Sequence, residues 1–273
     1  MSKHLSHFQR LAPVLLIAIL ISACATKPPA SDPVALAEYE RENDPFKPLN
    51  KATWKFNVAV DKAILRPLAI GYRTVMPGFL RQMITNVFQN AEMPLVFVHE
   101  LLQGEPKRAG VTVGRFLTNT TVGIGGLLDP ATEWGLERHD EDFGQTLAVW
   151  GVGPGPFVML PFLGPSNVRD AFGFAADRFA DPVGIAIDHA DVKGLQLGLT
   201  AGEAFDIRQR NFDVIEEVYA SRDTYTTARS VYRQNRAFDI SNGAITESEE
   251  EEEFFDEDFE DEEFEDESSV ETN

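Results

Sequence analysis

Residues 151–170 hold four glycines and four prolines, and they constrain the fold more than any other stretch. Proline removes a backbone donor, and glycine raises the entropy cost of an ordered backbone. The stretch therefore cannot form a regular helix or a central strand. It is also too apolar for a solvated linker, because large apolar side chains fill its centre (Phe157, Val158, Met159, Leu160, Phe162 and Leu163). We interpret it as a fixed crossover that is buried or faces a membrane.

Apolar residues recur at spacings of three and four on both sides of this crossover, which is typical of amphipathic helices. No run of alternating apolar and polar residues predicts a strand, so the predicted fold class is all-α. The predicted boundaries are a helix start at Asn43-Asp44-Pro45 with Pro45 at its first position, a break at Pro94, a helix end at Gly104, a helix from Pro106 to about Thr121, starts at Asp129-Pro130 and Asp181-Pro182, a cap at Ser166, a long helix from about Gly194 to Ala220, and a last helix from Asp223 to Arg236.

The N-terminus has the pattern of a secretory signal. Lys3 and Arg10 form a basic region before an apolar run over 11–21 that is too short to span a bilayer, so residues 1–23 are predicted to be a removable signal peptide. Cys24 is the only cysteine and stands where a bacterial lipoprotein signal places its acylated thiol. Cys24 is thus the predicted lipid anchor, with an intermolecular disulfide as the alternative. Ala25 follows it in place of an aspartate, which resembles the signal for transfer to the outer membrane, and residues 24–42 are predicted to be a lipidated tether with a short helix.

The negative charge is concentrated at the C-terminus. Residues 247–273 contain seventeen Asp and Glu and no Lys or Arg, and subtracting them from the total of −20 leaves −3 for residues 1–246. Such a body lacks the clustered cations that nucleic-acid binding needs. Residues 244–273 are predicted to be a disordered acidic tail. The tail is either solvated and held off an anionic membrane, or it docks its phenylalanines on a basic partner (Phe254, Phe255, Phe259 and Phe264).

The sequence contains few of the motifs that mark known catalytic, phosphate-binding or metal-binding sites. The glycines at 151, 153 and 155 match no phosphate-binding spacing, and the intervening prolines lack the N–H groups that cradle a phosphate. The run His139-Asp140-Glu141-Asp142 is predicted to be a solvated loop rather than a cation site. No G-x-S-x-G motif occurs, and Cys24 is committed to lipid. We therefore predict no enzyme activity, no cofactor and no metal, although an envelope hydrolase using Ser166 and a histidine remains a hypothesis.

Two blocks of the sequence resemble those of the MlaA (VacJ) lipoprotein family. Residues 43–57 resemble its N-D-P-x-E-x-x-N-R…F-N block, and residues 151–170 resemble its G-x-G-x-G-P-Y-x-x-L-P-x-x-G-P-S-x-x-R-D block. Residues 102–106 and 115–120 also match in order and spacing, so the resemblance covers residues 43–243. The matching motif residues are Asn43, Asp44, Pro45, Asn50, Phe56, Asn57, Gly153, Gly155, Pro156, Pro161, Gly164, Pro165, Ser166, Arg169 and Asp170.

The resemblance implies a multi-helix, ring-like, membrane-associated domain in the inner leaflet of the outer membrane, beside a trimeric porin. Its amphipathic pore would pass phospholipid misplaced in the outer leaflet to a soluble periplasmic carrier, without a cofactor or covalent chemistry. An ATP-driven complex elsewhere would set the direction. The motif residues would then be structural or line the lipid path. The alternative is a scaffold lipoprotein that organises a porin or a periplasmic partner and transports no lipid.

Departures from the family pattern affect individual contacts. Lys47 replaces a glutamate and Lys51 an arginine, so a bidentate carboxylate pair at those positions is in doubt. Phe157 replaces a tyrosine and removes a hydroxyl. Four arginines could meet phosphate headgroups, but pairing with a carboxylate such as Asp170 is favoured for each (Arg73, Arg81, Arg115 and Arg169).

Overall fold

The structure is a computed structural model that describes residues 42–189 and 194–244. The predicted signal peptide, Cys24 and all but the first residue of the acidic tail lie outside these residues. Within them the chain forms eleven α-helices, one π-helical segment and one two-stranded sheet, so the prediction of a mostly helical fold is confirmed. The elements are α1 Lys47–Val60, a π-segment Asp61–Leu65, α2 Arg66–Val75, α3 Gly78–Gln103, α4 Pro106–Thr121, α5 Pro130–Glu133, α6 Phe143–Val149, β1 Phe157–Leu160, β2 Gly164–Asn167, α7 Val168–Ala180, α8 Pro182–His189, α9 Leu195–Arg210, α10 Phe212–Ala220 and α11 Thr224–Ile240.

The π-segment has a local cause in the sequence. Pro67 has no N–H to donate to a preceding carbonyl, and its ring would crowd the turn before it. The Arg66 amide instead bonds the Asp61 carbonyl five residues earlier, which widens this turn. The wider turn carries Asp61, which is buried and paired with Arg208 on α9 through an Nε–Oδ1 contact of 2.6 Å. The α1–α2 rod is thereby fixed to α9.

The prediction of a break at Pro94 is wrong. α3 runs without interruption from Gly78 to Gln103, with Pro94 inside it. The helix continues because its inward face is held on both sides of the proline by the buried residues Asn90, Met93 and Val96. It ends as predicted at Gly104, whose φ of 82° is the left-handed conformation that glycine adopts without strain.

The crossover forms a β-hairpin that the sequence did not predict. β1 and β2 pair antiparallel, from Phe157 opposite Asn167 to Leu160 opposite Gly164. Both strands are edge strands, which is why Pro165 is tolerated opposite Met159. The pairing agrees with the expectation that this stretch is neither a helix nor a central strand.

Four helix boundaries differ from the predictions, one of them the end of α11, which extends to Ile240 and not only to Arg236. α1 begins at Lys47 with Pro48 in its first turn, not at Pro45, because Asp44 turns its carboxylate into the interior instead of capping a helix. Ser166 is a β2 residue, and Asn167 caps α7 by accepting from the Asp170 amide at 2.8 Å. The long helix predicted to end at Ala220 is divided at Asn211, a residue type that favours helix ends.

The interior is rich in polar side chains, and many large hydrophobic side chains are exposed. Among the described residues, ten hydrophobic side chains are buried, compared with twenty-one polar or charged ones. Thirty-three large hydrophobic side chains in the same set are exposed, including Val75 (82%) and Phe179 (84%). Soluble proteins rarely bury Asp, Glu and Arg unless these side chains are paired, and they rarely expose large apolar patches.

Close helix packing beside the hairpin gives a first prediction. A Cβ on Gly173 of α7 would lie 2.4 Å from the Gly144 amide nitrogen on α6, and this is backbone that cannot move aside. We expect Gly173→Ala to lower the free energy of unfolding by about 1–3 kcal/mol through overpacking. Gly198→Ala on α9 is the matched control, because no atom lies within 4 Å of its Cβ and alanine favours the helix by about 0.5–1 kcal/mol. Thermal unfolding in detergent measures both, and equal losses would contradict the packing argument.

Candidate functional site

The two sequence blocks meet where α1 lies along the hairpin. Three asparagines follow one another at intervals of seven residues (Asn43, Asn50 and Asn57). The last two lie on α1, about two helical turns or 10 Å apart. The Asn50 side chain accepts from the Met159 amide at 2.9 Å and donates to the Phe157 carbonyl at 3.1 Å. One asparagine thus takes the place of a neighbouring strand on the free edge of β1.

Asn57 repeats this arrangement at the hairpin tip. Its side chain donates to the Leu160 carbonyl and accepts from the Phe162 amide, both at 2.9 Å. The contacts of Asn57 lie three residues further along the crossover than those of Asn50, which is about 10 Å of extended chain and matches the helical spacing. Asn43 holds the other end by donating to the Gly155 carbonyl at 2.7 Å. We call these three asparagines the crossover clamp.

The tip of the hairpin is apolar and open. Phe162 is 72% exposed and Leu163 is 55% exposed, next to the exposed Pro161. The Phe162 ring meets the ring of Phe56 edge-on at 5.2 Å, so two residues from different sequence blocks form one surface. The clamp therefore presents an apolar tip at the molecular surface.

Asp44 anchors the clamp to the last helix. Its carboxylate is fully buried and accepts from Asn50 Nδ2 at 2.7 Å, from the Tyr225 hydroxyl, and from Arg229 Nη1 at 3.3 Å. Burial, followed by the bond to Asp44, raises the pKa of Tyr225, so the phenol stays a donor. Arg229 also reaches Glu42 at 3.1 Å.

Asp170 is the centre of a second buried cluster. Its carboxylate accepts from Arg236 Nε at 2.8 Å, Tyr232 Oη at 2.6 Å, Arg169 Nε at 2.9 Å and Asn167 Nδ2 at 2.7 Å. Burial alone would raise the pKa of Asp170, but the bonds from Arg236, Arg169 and Tyr232 lower it to about 2. The carboxylate is therefore charged throughout the physiological range.

Arg236 links this cluster to α6. Its guanidinium is bidentate to Asp142, with contacts of 2.6 and 2.8 Å, while it also bonds Asp170. Burial alone would lower the pKa of Arg236, and its bonds to Asp142 and Asp170 outweigh that effect and raise it. Asp142 also caps α6 by accepting from the Gln145 amide at 2.8 Å. One arginine thus joins α6, α7 and α11.

The sequence did not connect the residues of α11 with the two clusters that they complete. Tyr225, Arg229, Tyr232 and Arg236 are spaced by four, three and four residues and therefore lie on one helix face. That alternation of tyrosine and arginine was the available signal. Periodicity places Tyr225 and Tyr232 on the apolar stripe of this helix, but it does not assign Arg229 and Arg236 to the same inward face.

The predicted motif residues fall into two groups in space. Asn43, Asp44, Asn50 and Asn57 meet the crossover backbone, whereas Ser166, Arg169 and Asp170 face α11. The Ser166 hydroxyl donates to the Asn167 carbonyl at 3.3 Å in a buried position. Four motif residues shape the ends and turn of the hairpin (Gly153, Pro156, Gly164 and Pro165), Gly155 has a φ of 67°, and Pro45 lies in the turn before α1.

The pairing predicted for the four arginines is seen for three of them. Arg73 pairs with Asp213 at 3.2 Å, Arg115 with Asp129 at 2.8 Å, and Arg169 with Asp170 at 2.9 Å. Arg81 instead donates to Gln209 at 3.3 Å.

The run 139–142 is not the solvated loop that was predicted. His139 Nδ1 lies 2.6 Å from Glu100, and the buried Glu141 pairs with Arg108 at 2.8 Å. His139 and Glu141 thus close onto α3 and α4, and Asp142 binds Arg236 on α11, whereas Asp140 alone is largely exposed. In the described ranges, no group of three or more His, Cys, Asp or Glu side chains is placed to hold a metal ion.

A carboxyl pair joins α3 to α9. Burial, then a hydrogen bond and charge repulsion from Glu203, raise the pKa of Glu92 to about 7, with Arg138 opposing and Asp140 adding to the shift. In the folded state the pair holds a proton between pH 4.5 and about 7 that the unfolded chain has lost. Stability should therefore fall as the pH rises through that window.

The pH prediction can be measured with one substitution. Glu92 is 37% exposed and partly screened by solvent, so we expect the stability to fall by about 1–2 kcal/mol across the window. Glu92→Gln should flatten the dependence and raise the unfolding temperature at neutral pH. Glu217→Gln, at an exposed position on α10, is the control and should leave the profile unchanged. If the stability of Glu92→Gln changed with pH in the same way as that of the wild type, the two carboxyl groups would not share a proton.

A cavity borders the crossover. It has a volume of about 240 Å³ and lies between residues 154–157 and α11. Its lining combines apolar residues such as Phe157 and Ile240 with Arg169 and Arg236.

None of the helices formed by residues 42–189 and 194–244 has both the length and the apolar character to cross a membrane.

The comparisons with known proteins agree on one family. The family model described as MlaA lipoprotein matches residues 42–239. The intermembrane phospholipid transport system lipoprotein MlaA of Haemophilus influenzae is 32% identical over 243 residues, which cover 86% of this chain and 92% of that protein. The protein of the same name from Escherichia coli is 34% identical over 217 residues, covering 78% and 84%. A solved structure concerned with the maintenance of bacterial outer membrane lipid asymmetry superposes with a TM-score of 0.63 at 32% identity, covering 72% of this chain and 98% of that one.

Proposed function

The chain belongs to the MlaA lipoprotein family, and from that premise we propose that it removes mislocalised phospholipid from the outer leaflet of the outer membrane. It passes that lipid to a soluble periplasmic carrier and so maintains the lipid asymmetry of the membrane. The relatives named as intermembrane phospholipid transport lipoproteins support the transport role.

The single observation that carries the proposal is the apolar surface around a polar interior. Thirty-three exposed large hydrophobic side chains among the described residues would be costly in water and favourable among acyl chains. The buried Asp, Glu and Arg side chains are paired with one another, which makes such an interior tolerable. A phospholipid needs this combination, because its headgroup must pass a polar surface while its chains remain in an apolar one.

The location follows from the same proposal. Residues 43–243 form a ring-like domain in the inner leaflet, residues 1–23 are removed, and residues 24–42 tether the domain through acylated Cys24. The tail from 244 to 273 extends into the periplasm. A trimeric porin beside the domain and the soluble carrier are the proposed partners.

The crossover has a shape role in this proposal. The crossover clamp and the Asp170 cluster fix the hairpin from both sides, and the amphipathic cavity lies between them. The apolar tip of the hairpin contacts the acyl chains, and the hairpin itself borders the lipid path. The family-motif residues act by holding this wall in place, and no cofactor or covalent step is needed.

Deletion of the gene tests the proposal directly. We expect more phosphatidylethanolamine to react with a membrane-impermeant amine reagent at the cell surface, together with greater sensitivity to detergent. The wild-type gene restores both, and Asp213→Asn, at a side chain that is 81% exposed, serves as the matched variant that should also restore both. Unchanged lipid asymmetry in the deletion strain would contradict the transport role. Purified protein that captures a porin or carrier but transfers no lipid would establish the scaffold instead.

The lipid anchor has its own test. Cys24→Ala removes the acylated thiol, and each buried CH₂ of an acyl chain contributes about 0.8 kcal/mol to membrane binding. We expect the variant protein to leave the outer-membrane fraction in sucrose-gradient fractionation. If it remains there, the exposed apolar side chains of the helical domain hold it without the anchor.

A further inference from the structure

One face of the described part of the chain carries cations that pair with no carboxylate there. Lys51, Lys55 and Lys62 follow one another along α1 and the π-segment at spacings of four and seven, within about 40° of each other around the helix axis. Arg222 lies in the turn between α10 and α11. Within residues 42–189 and 194–244, no ion pair joins any of these four cations to a carboxylate. We call these four residues the basic face.

Aromatic contacts place these cations on one surface. The Lys62 ammonium lies 5.1 Å from the Tyr219 ring at the end of α10, and the Lys51 ammonium lies 5.5 Å from the Tyr225 ring at the start of α11. Trp54, between the two lysines, donates to Thr224 at 3.0 Å. The turn that carries Arg222 therefore lies alongside the lysine stripe. The nearby Asp223 carboxylate caps α11, where it accepts from the Thr226 hydroxyl at 2.8 Å, and its charge offsets part of that of Lys51.

We propose that the basic face is the docking surface for this chain's own acidic tail, residues 247–273. The body contributes cations set among tyrosine and tryptophan rings, and the tail contributes seventeen carboxylates interspersed with four phenylalanines. The two surfaces are complementary in charge, and each also carries aromatic rings. The tail lies beyond the family match, which ends at residue 239. The proposal is independent of lipid transport, because it concerns the opposite charges of two parts of one chain.

The length of the tail permits this contact. α11 leads from the basic face at Thr224 to Ile240, about 25 Å away at 1.5 Å per residue. Residues 245–273 span up to about 90 Å when extended, so the tail can return along α11 and still cover the stripe. A docked tail occupies cations that would otherwise attract an anionic bilayer, and it leaves the basic face neutralised.

Two measurements on the full-length protein in neutral detergent test this docking. Zero-length carbodiimide cross-linking should join tail carboxylates to Lys51, Lys55 or Lys62, but not to the exposed Lys107 on α4. A nitroxide on Ser268→Cys reports tail motion, since acylated Cys24 leaves no other free thiol. We expect the label to be slowed in about 0.1 M salt and released in about 1 M salt, where the screening length falls from about 10 Å to about 3 Å. The triple variant Lys51→Gln, Lys55→Gln, Lys62→Gln should release it at low salt, whereas Lys107→Gln should not.

Each contrary result has a definite meaning. Cross-links distributed equally between Lys107 and the stripe, or a label equally mobile in the triple variant and the wild type, would overturn the proposal. The same holds if the triple variant loses binding to vesicles of anionic phospholipid while the label mobility is unchanged, because the basic face would then contact the membrane. Thermal unfolding of the triple variant shows whether the body remains folded.

Discussion

Replacing Asp170 with alanine is expected to lower the free energy of unfolding by about 3–5 kcal/mol, because it leaves buried positive charge without a partner. Arg169 and Arg236 both donate to this carboxylate, and their side chains are only 5% and 12% exposed. Asp142 still holds Arg236 after the substitution, but Arg169 keeps only a 3.3 Å contact with the Val152 carbonyl. The cap residue Asn167 and the Tyr232 hydroxyl lose a partner as well. Denaturation in detergent measures the loss, and cellular abundance should fall several-fold with it.

An exposed ion pair provides the control for this prediction. Asp213 pairs with Arg73 but is 81% exposed, so Asp213→Ala should cost at most about 1 kcal/mol. Asp170→Asn keeps the shape and the acceptor oxygen but removes the charge, and we expect it to fall between the two. If Asp170→Ala and Asp213→Ala cost the same, the buried cluster is not a source of stability.

Helix positions could be read from the sequence because periodicity and caps are local properties. The helix predicted from Pro106 to about Thr121 is found at those residues, and the starts at Asp129 and Asp181 are confirmed by carboxylates that accept from the following backbone amides. Periodicity does not show which face points inward, however. On α3 the apolar residues Ile84 and Val87 are 38% and 37% exposed, whereas Thr85, His99 and Glu100 are buried.

The buried contacts between the motif residues and α11 could not be predicted, because they join residues far apart in sequence. Asp44 meets Tyr225 across 181 residues, and nothing in either local pattern specifies the partner. The motif resemblance singled out Asp44, Asn50 and Asp170 but not the residues of α11 that satisfy them. The hairpin was missed for a related reason: β1 is stabilised on its outer edge by side chains of α1, so its strand character depends on a helix about 100 residues away.

Replacing Asn50 with alanine should detach the hairpin from α1. Asn50 is 2% exposed, and its loss leaves the Met159 amide, the Phe157 carbonyl and one oxygen of Asp44 without their partner. Each buried group left unsatisfied costs about 1–3 kcal/mol, and since water can enter the vacated space we expect a total of about 2–4 kcal/mol. Hydrogen exchange of the Met159 amide should accelerate by about the same free energy. Outer-leaflet phospholipid should rise in cells that carry the variant, because the crossover that borders the proposed lipid path is no longer fixed.

Asn57→Ala is the matched comparison, because it removes the same pair of bonds at the exposed tip. Water can replace Asn57 at the Leu160 carbonyl and the Phe162 amide, so the cost should stay below about 1 kcal/mol and faster exchange should be confined to Phe162. Asn50→Asp separates geometry from charge, since it keeps an acceptor for the Met159 amide but places a second carboxylate beside Asp44. It should be at least as destabilising as alanine at neutral pH and should recover at acidic pH, when one carboxyl is protonated. Equal costs at positions 50 and 57 would show that the hairpin is held by its own strand pairing and not by the crossover clamp.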